Sequence, residues 1–240
     1  RMNGELKASL TKLKELQLTN GGFSWFKGGR DDRFITQYIL TGIGHLQTLN
    51  AVPEKSKAKL NAIIKSALGY LDRKIKEDYD YLIKHKIKLE NRNLGHLQVQ
   101  YLYMRSFFMD NGVGGETLKA YTYYRKQSQP FCLEQTKYMQ GMIALALSRT
   151  GDIHGAKTIV ASLKQNALVS EEMGMYWKDI TRGYYWHQSP IETQALLIEV
   201  FTEVANDKKS VEDLKTWLLK QKQTQNWRTT KATADACYAL

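Results

Sequence analysis

The sequence predicts an all-α fold, more specifically an α/α toroid, in which an inner ring of helices is wrapped by an outer ring. Only three prolines occur in 240 residues, and apolar residues recur almost everywhere at the three- and four-residue spacing of helices. Every second helix is richer in small and apolar residues, as in YMQGMIALAL at 138–147, and is expected to be buried over most of its surface. Two concentric layers fit both observations, and a superhelical solenoid is the competing architecture.

The apolar stripes follow one another along the chain as about ten helices joined by short turns rich in Gly, Asn or Asp. Helices predicted to begin near Thr36, Leu94, Thr136, Thr193 and Ala232 are about 40 to 60 residues apart, the length of two helices with their connections. A turn with a Trp before a helix occurs in 17–40 and again in 223–240. The stripes lie at 6–16, 60–75, 94–108, 138–146, 160–163, 191–204 and 211–218.

The segment EMGMYWKDITRGYYWH (172–187) departs from the helical pattern. Two aromatic-rich runs, 173–177 and 184–187, surround a polar turn, which predicts a short β-hairpin. Its aromatic side chains are expected to cover the core rather than to bind a ligand.

Composition places the chain among ordinary globular proteins, with 42% hydrophobic and 25% charged residues. No apolar run approaches the roughly 20 residues that span a bilayer, so no membrane-spanning segment is expected. The beginning, RMNGELKASL, lacks the apolar stretch of a signal peptide, and the end, TADACYAL, is typical of a helix that stops without a cap. We therefore expect residues 1–240 to be a single domain cut from a larger protein.

The net charge is +11, and much of the excess lies in 55–88, around a helical apolar stripe. A solvated helix face explains this charge, and no nucleic-acid partner is expected, because no nucleic-acid-binding motif accompanies it. Cys132 and Cys237 cannot form a disulfide scaffold and are expected to be buried small hydrophobes, although one bridge between them would be allowed. No cofactor and no metal are expected.

The stretch PFCLEQTKYMQG (130–141) contains the spacing that lets a thiol and a side-chain amide close an internal thioester. Cys132 would supply the sulfur and Gln135 the acyl group. The chemistry needs both groups held together at a helix start, in a pocket poor in water, until a conformational change exposes the acyl group.

Four stretches carry a family resemblance: GGFSWFKGGRDDRFITQYILTGIGHL, KYMQGMIALALSRTGD, MGMYW, and a closing Trp followed by TADACYAL. Together they resemble the thioester domain of bacterial alpha-2-macroglobulin family proteins, especially those of the Bacteroides group. The resemblance implies a terpenoid cyclase-like and complement-like α/α toroid, flanked by β-sandwich domains in a protein secreted or lipid-anchored at the periplasm or cell envelope. It also implies a non-enzymatic protease trap, which collapses around a target protease after bait cleavage.

The family's thioester motif is CxEQ, which residues 132–135 match letter for letter. In the family, however, the motif precedes the GGF-x-W turn, whereas here it follows that turn by more than a hundred residues. Phe131 also stands where many members carry a glycine. We interpret Cys132 and Gln135 as a coincidental match, with Leu133 and Met139 packing the core and any true motif lying upstream.

The alternative reading is an α/α-toroid enzyme or a module that binds a peptide or glycan. Asp235 and Cys237 have the Asp-x-Cys spacing of a prenyltransferase zinc site, but no His follows them. Paired carboxylates for glycoside cleavage are poorly supported by Glu134, Glu171 and Glu172. His45 and His96 are expected to be satisfied core or rim histidines. The aromatics that could line a concave binding face are Trp25, Trp177 and Trp186.

Overall fold

The computed structural model describes residues 2–186 and 189–240, and it divides into two compact units. The first unit extends to Gln127 and the second from Ser128 to Leu240. Within the described residues there are ten α-helices and one pair of short antiparallel strands. This confirms the predicted all-α fold with a short β-hairpin, while the concentric arrangement of the helices stays a prediction.

Five helices begin in the first unit, and a 3₁₀ segment (Ser106–Asn111) separates the last two. The helices are α1 (Met2–Leu16), α2 (Arg33–Thr48), α3 (Glu54–Lys84), α4 (His96–Arg105) and α5 (Gly115–Ser128). In α3, buried apolar side chains recur at three- and four-residue spacing, and Lys57, Lys59 and Lys65 are exposed, as expected for a solvated basic face. The buried stripe comprises Leu60, Ile63, Ile64, Leu68, Leu71 and Ile75.

Helix α4 is buried along every residue from Val99 to Arg105. The guanidinium of Arg105 is only 1% exposed, and its Nε lies 3.3 Å from Oδ1 of Asp72 on α3. The Tyr101 hydroxyl donates to the same carboxylate oxygen at 2.6 Å. A buried cation needs such a partner to offset its desolvation, so this contact fixes α4 against α3.

The Gly-rich stretch before α2 forms a closed turn. Phe23 is 1% exposed and pairs with Asp32 in an isolated antiparallel bridge, and its N–H donates to the Thr36 hydroxyl at 2.9 Å. Asp32 is also the N-cap of α2, because its side chain accepts from the Ile35 N–H at 2.9 Å. Gly21 has φ +95°, and a Cβ there would lie 2.2 Å from the Ser66 carbonyl oxygen, so the turn requires glycine. The helix predicted to begin near Thr36 thus begins at Arg33.

The second unit contains five helices and both strands. The elements are α6 (Lys137–Arg149), α7 (Ile153–Gln165), β1 (Leu168–Ser170), β2 (Gly174–Tyr176), α8 (Pro190–Val200), a π turn (Phe201–Ala205), α9 (Lys208–Gln225) and α10 (Thr230–Ala239). In α8, every residue from Glu192 to Val200 is buried, and α6 is buried over most of its length. In α7 and α9 the buried residues follow one face. The predicted burial of the YMQGMIALAL helix is thus confirmed.

The hairpin differs from its prediction in one strand. Residues 174–176 do form a strand, but its antiparallel partner is Leu168–Ser170, with Val169 opposite Met175. Residues 184–186 form a bend and turn instead, and Tyr184 is 96% exposed. The fourth residue of the second predicted run, His187, lies outside the described residues. The pairing was wrong because β1 has only three residues, too few to show the alternating pattern of a strand in the sequence.

No helix in the described part of the chain combines the length and the apolar character needed to cross a bilayer.

Candidate functional site

The CLEQ stretch lies in the turn immediately before α6. The N–H of Gln135 donates to the carbonyl of Cys132 at 3.0 Å, which closes the turn. Thr136 then caps α6 by accepting from the Met139 N–H at 3.3 Å, and the Gln140 side chain donates to the Gln135 carbonyl at 2.9 Å. The motif is therefore held at a helix start by ordinary turn and capping hydrogen bonds.

The Cys132 side chain points into the core, whereas the next residue points out. Cys132 is 2% exposed, and burial raises the pKa of its thiol to about 12. Leu133 is 67% exposed, so the expectation that it packs the core is wrong, while Met139 is buried as expected. The alternation follows from the turn, which aims successive side chains to opposite sides. A thiol with so high a pKa is a poor nucleophile at neutral pH.

A cleft of about 350 Å³ opens beside the turn, and we call it the motif cleft. Gln135 lines it, together with the first turn of α6 and the segment 179–181. An ion pair between Lys137 and Asp179 joins these two walls. The remaining lining residues are Leu133, Thr136, Tyr138, Gln140, Ile180, Thr181 and Thr193.

Beside the motif cleft, buried Tyr138 and half-buried Lys231 and Asp235 form a polar cluster. Lys231 on α10 donates to Oδ2 of Asp235 at 2.6 Å and to the Tyr138 hydroxyl at 3.2 Å. Burial raises the pKa of Tyr138. Burial alone would lower the pKa of Lys231, but the adjacent Tyr138 and Asp235 raise it. At neutral pH the cluster thus holds a protonated amine and a neutral phenol, and neither can act as a general base.

The three tryptophans proposed for a concave face have different surroundings. Trp177 differs from that expectation: it is 3% exposed, and its Nε1–H donates to the Leu163 carbonyl at 2.9 Å, so it belongs to the core. Trp186 is half-buried and packs edge-on against Tyr138, at 5.9 Å between ring centroids. Trp25, in the first unit, is 65% exposed and stacks on Phe34 at 5.9 Å. Trp25 and Trp186 thus remain available to a ligand.

The other residues considered for catalysis or metal binding have ordinary roles. Asp235 is engaged by Lys231, and Cys237 is exposed, so it is not the buried hydrophobe that was expected. His45 is a half-buried side chain whose Nε2 lies 3.0 Å from the Tyr103 hydroxyl, as expected of a satisfied histidine. Among residues 2–186 and 189–240, no group of three or more His, Cys, Asp or Glu side chains is placed to hold a metal ion.

Sequence reasoning missed Tyr138 and Lys231 as polar partners. Residues 231 and 235 are one helical turn apart, a spacing typical of an i,i+4 ion pair. Nothing in the sequence, however, connects Tyr138 to a residue 93 positions later.

No family model matches the sequence, and no curated protein matches it. Solved structures do match, among them native alpha-2-macroglobulin from Escherichia coli, spanning the residues from domain MG7 to the C-terminus. That likeness has 14% sequence identity and a TM-score of 0.49, and it covers 99% of this chain and 34% of the other. The chain thus spans about a third of the length of that solved structure. At this identity and TM-score, the likeness assigns neither a family nor a function to the chain.

Proposed function

We propose that the chain is a thioester-type domain of a bacterial alpha-2-macroglobulin-like protein and contributes to the trapping of proteases. The observation that carries this proposal is the GGFSW turn, the most specific stretch of the sequence resemblance. Its Gly21 is required by close backbone contact, its Phe23 is buried, and Asp32 at its end caps α2.

The other stretches of the resemblance support the proposal because each forms a defined element. KYMQGMIALALSRTGD forms buried α6 and ends in a turn where Gly151 has φ +93° and Asp152 caps α7. MGMYW supplies β2 and the buried Trp177. Each of these stretches therefore has a structural role in the fold.

In this role the domain catalyses no reaction itself. It docks against neighbouring β-sandwich domains of the parent chain, at the periplasm or cell envelope, and shifts after bait cleavage. Exposed lysines of α3 supply a basic face for those domains or for an anionic envelope. Cys132 and Gln135 serve as a structural turn, and any covalent capture uses a thioester elsewhere in the parent protein.

The proposal is tested with the whole protein that carries this chain. A serine protease is mixed with it, and hydrolysis of a large protein substrate is compared with hydrolysis of a small peptide substrate. A trap encloses the protease, so cleavage of the large substrate should fall by at least about tenfold while cleavage of the small one persists, because only large molecules are excluded sterically.

The control is the same protein after exhaustive exposure to protease and removal of that protease, which should no longer inhibit. If both substrates are cleaved at the uninhibited rate, or if both are inhibited equally, trapping is excluded.

A further inference from the structure

Residues 24–30, SWFKGGR, form a loop in the first unit just before α2, and we call it the aromatic loop. Its two neighbouring aromatic residues face solvent: Trp25 is 65% exposed and Phe26 is 73% exposed. Contact between apolar surface and water is unfavourable, and a contiguous exposed patch of such residues commonly marks a site of interaction. The aromatic loop is therefore a candidate docking surface.

The tip of the aromatic loop is a closed turn. The carbonyl oxygen of Phe26 accepts from the Gly29 N–H at 3.0 Å and from the Ser24 hydroxyl at 2.6 Å. Gly28 has φ +83°, a conformation that favours glycine. The Trp25 ring is held against the first turn of α2 by stacking, at 5.9 Å between ring centroids. The loop is thus ordered before it meets a partner, so little conformational entropy is lost on binding.

The charges within the aromatic loop are all positive. Lys27 and Arg30 are exposed, and neither forms an ion pair or a side-chain hydrogen bond with the described residues. The two carboxylates that follow are engaged within the fold. Asp31 accepts from the Tyr70 hydroxyl at 2.7 Å, and Asp32 caps α2. The loop therefore presents two unpaired cations beside two exposed aromatic rings.

This combination matches the chemistry of an anionic lipid surface. Tryptophan is enriched at the level of lipid headgroups, and each Lys or Arg near an anionic membrane strengthens binding about fivefold. A protein surface is a poorer match. The two rings offer at most about 500 Å², less than the roughly 800 Å² that each side of a standard protein interface buries.

We propose that the aromatic loop binds an anionic lipid surface, with Trp25 and Phe26 inserted at headgroup depth and with Lys27 and Arg30 bound to lipid phosphates. The net charge of +11 attracts the whole chain to such a surface from a distance, and the loop supplies the specific contact. The contact is peripheral, because only one loop enters the lipid. This proposal does not depend on the proposed function.

The test is flotation of the 240-residue chain with two kinds of vesicle. One kind consists of phosphatidylcholine alone, and in the other about a third of the lipid is phosphatidylglycerol, which is anionic. Binding to the anionic vesicles is expected, at least about tenfold tighter than to the neutral ones, because both cations of the loop lie at the surface. Absence of binding to the anionic vesicles would overturn the proposal and favour an acidic protein surface as the partner.

Variants separate the loop from the general attraction of a basic chain. W25S/F26S keeps every charge and should weaken binding to the anionic vesicles at least about tenfold, because the inserted apolar area is lost. K27Q/R30Q keeps both rings and should weaken binding by a similar factor, because the cations next to the lipid phosphates are lost. Circular dichroism establishes that each variant is folded, and K27Q/R30Q is an independent test if W25S/F26S is not.

Two further double variants are matched controls in the second unit. K208Q/K209Q removes two exposed lysines, and L133S/V169S replaces two apolar side chains that are 67% and 62% exposed. Each should weaken binding less than about threefold, because charges outside the contact are screened by salt and no inserted side chain is changed. The proposal is overturned if W25S/F26S binds as tightly as the unmodified chain, or if a control weakens binding as much as the corresponding loop variant.

Insertion is measured directly with lipids brominated near the headgroup end of their acyl chains, which quench an indole that reaches them. The tryptophan fluorescence of the bound, unmodified chain should be quenched, because Trp25 lies at that depth. W25F keeps an apolar ring and should still bind, but its fluorescence should be quenched much less. Equal quenching of the two proteins, or no quenching of either, would contradict insertion of Trp25.

Discussion

At the scale of single residues, the two cysteines are distinguished by their surroundings. Cys132 is 2% exposed with a thiol pKa raised by burial to about 12, and Cys237 is exposed. At pH 8 only about one Cys132 thiol in ten thousand would be ionised, and the thiolate is the reactive form.

We therefore expect iodoacetamide to modify Cys132 at least about a hundredfold more slowly than Cys237 in the native chain. The measurement is the time course of alkylation, followed by peptide mass spectrometry. Denaturant should make the two rates equal, which serves as the control. Similar native rates would show that the Cys132 thiol is accessible and ionised, against the structure.

The contact of Lys231 with Tyr138 could not be predicted from sequence. The SPIE stretch at 189–192 has the spacing of a capping box, but α8 has no side-chain cap. Lys231 contacts Tyr138 across 93 residues of sequence. Such contacts depend on how helices pack, and a single sequence shows only local periodicity.

At the scale of elements, α9 begins with a charged cap. Asp207 accepts from the Ser210 N–H at 3.2 Å and from the Lys164 ammonium at 2.5 Å. These contacts lower the pKa of Asp207 from 3.8 to about 2, and the contact with Lys164 makes the largest contribution. Because the folded pKa is lower than the unfolded one, the contribution to stability is complete above about pH 4 and is lost as the pH falls towards 2.

D207A should therefore reduce the free energy of unfolding by about 1 kcal/mol at pH 7, with a difference from the parent that shrinks between pH 4 and pH 2. Urea unfolding at a series of pH values measures this. D207N, which keeps a capping oxygen but loses the charge, should cost less at pH 7. If the loss of stability caused by D207A instead grew as the pH fell, the result would contradict a carboxyl pKa that is lowered in the folded state.

The hairpin is fixed against α9 at Gly174, where φ is +71° and a Cβ would lie 2.1 Å from the Asp213 carbonyl oxygen. G174A should thus reduce the free energy of unfolding by about 3 kcal/mol, from overpacking together with backbone strain. The matched control is G151A, where φ is +93° with nothing within 4 Å, which should cost only about 1 to 2 kcal/mol. Equal losses of stability for the two variants, measured by urea unfolding, would mean that the hairpin does not pack closely on α9.

The helices could be predicted because their apolar periodicity is local, and α6 and α8 could be recognised as buried from composition. The strand pairing could not. Both strands have only three residues, and β1 is exposed throughout. The aromatic run at 184–186 has a stronger β-propensity, and it was therefore predicted as the second strand. The exposure of Leu133 was not predicted for a similar reason, because a turn and not a periodic element determines the direction of its side chain.

At the scale of the whole molecule, the segments that resemble thioester domains are explained as structure: a closed Gly-rich turn, a buried helix and a strand. The CLEQ stretch is explained in the same way, as a turn with a buried sulfur and a capped helix after it. A thioester would require a bond between the Cys132 sulfur and the Gln135 side chain, with loss of ammonia.

The most direct test of a structural role for this turn is the intact mass of the native chain before and after treatment with methylamine. We expect the full mass of the sequence, 27.6 kDa, two free thiols under denaturing conditions, and no change on treatment. A chain lighter by one ammonia, which gains one methylamine and releases one thiol on treatment, would show that Cys132 and Gln135 form a working thioester.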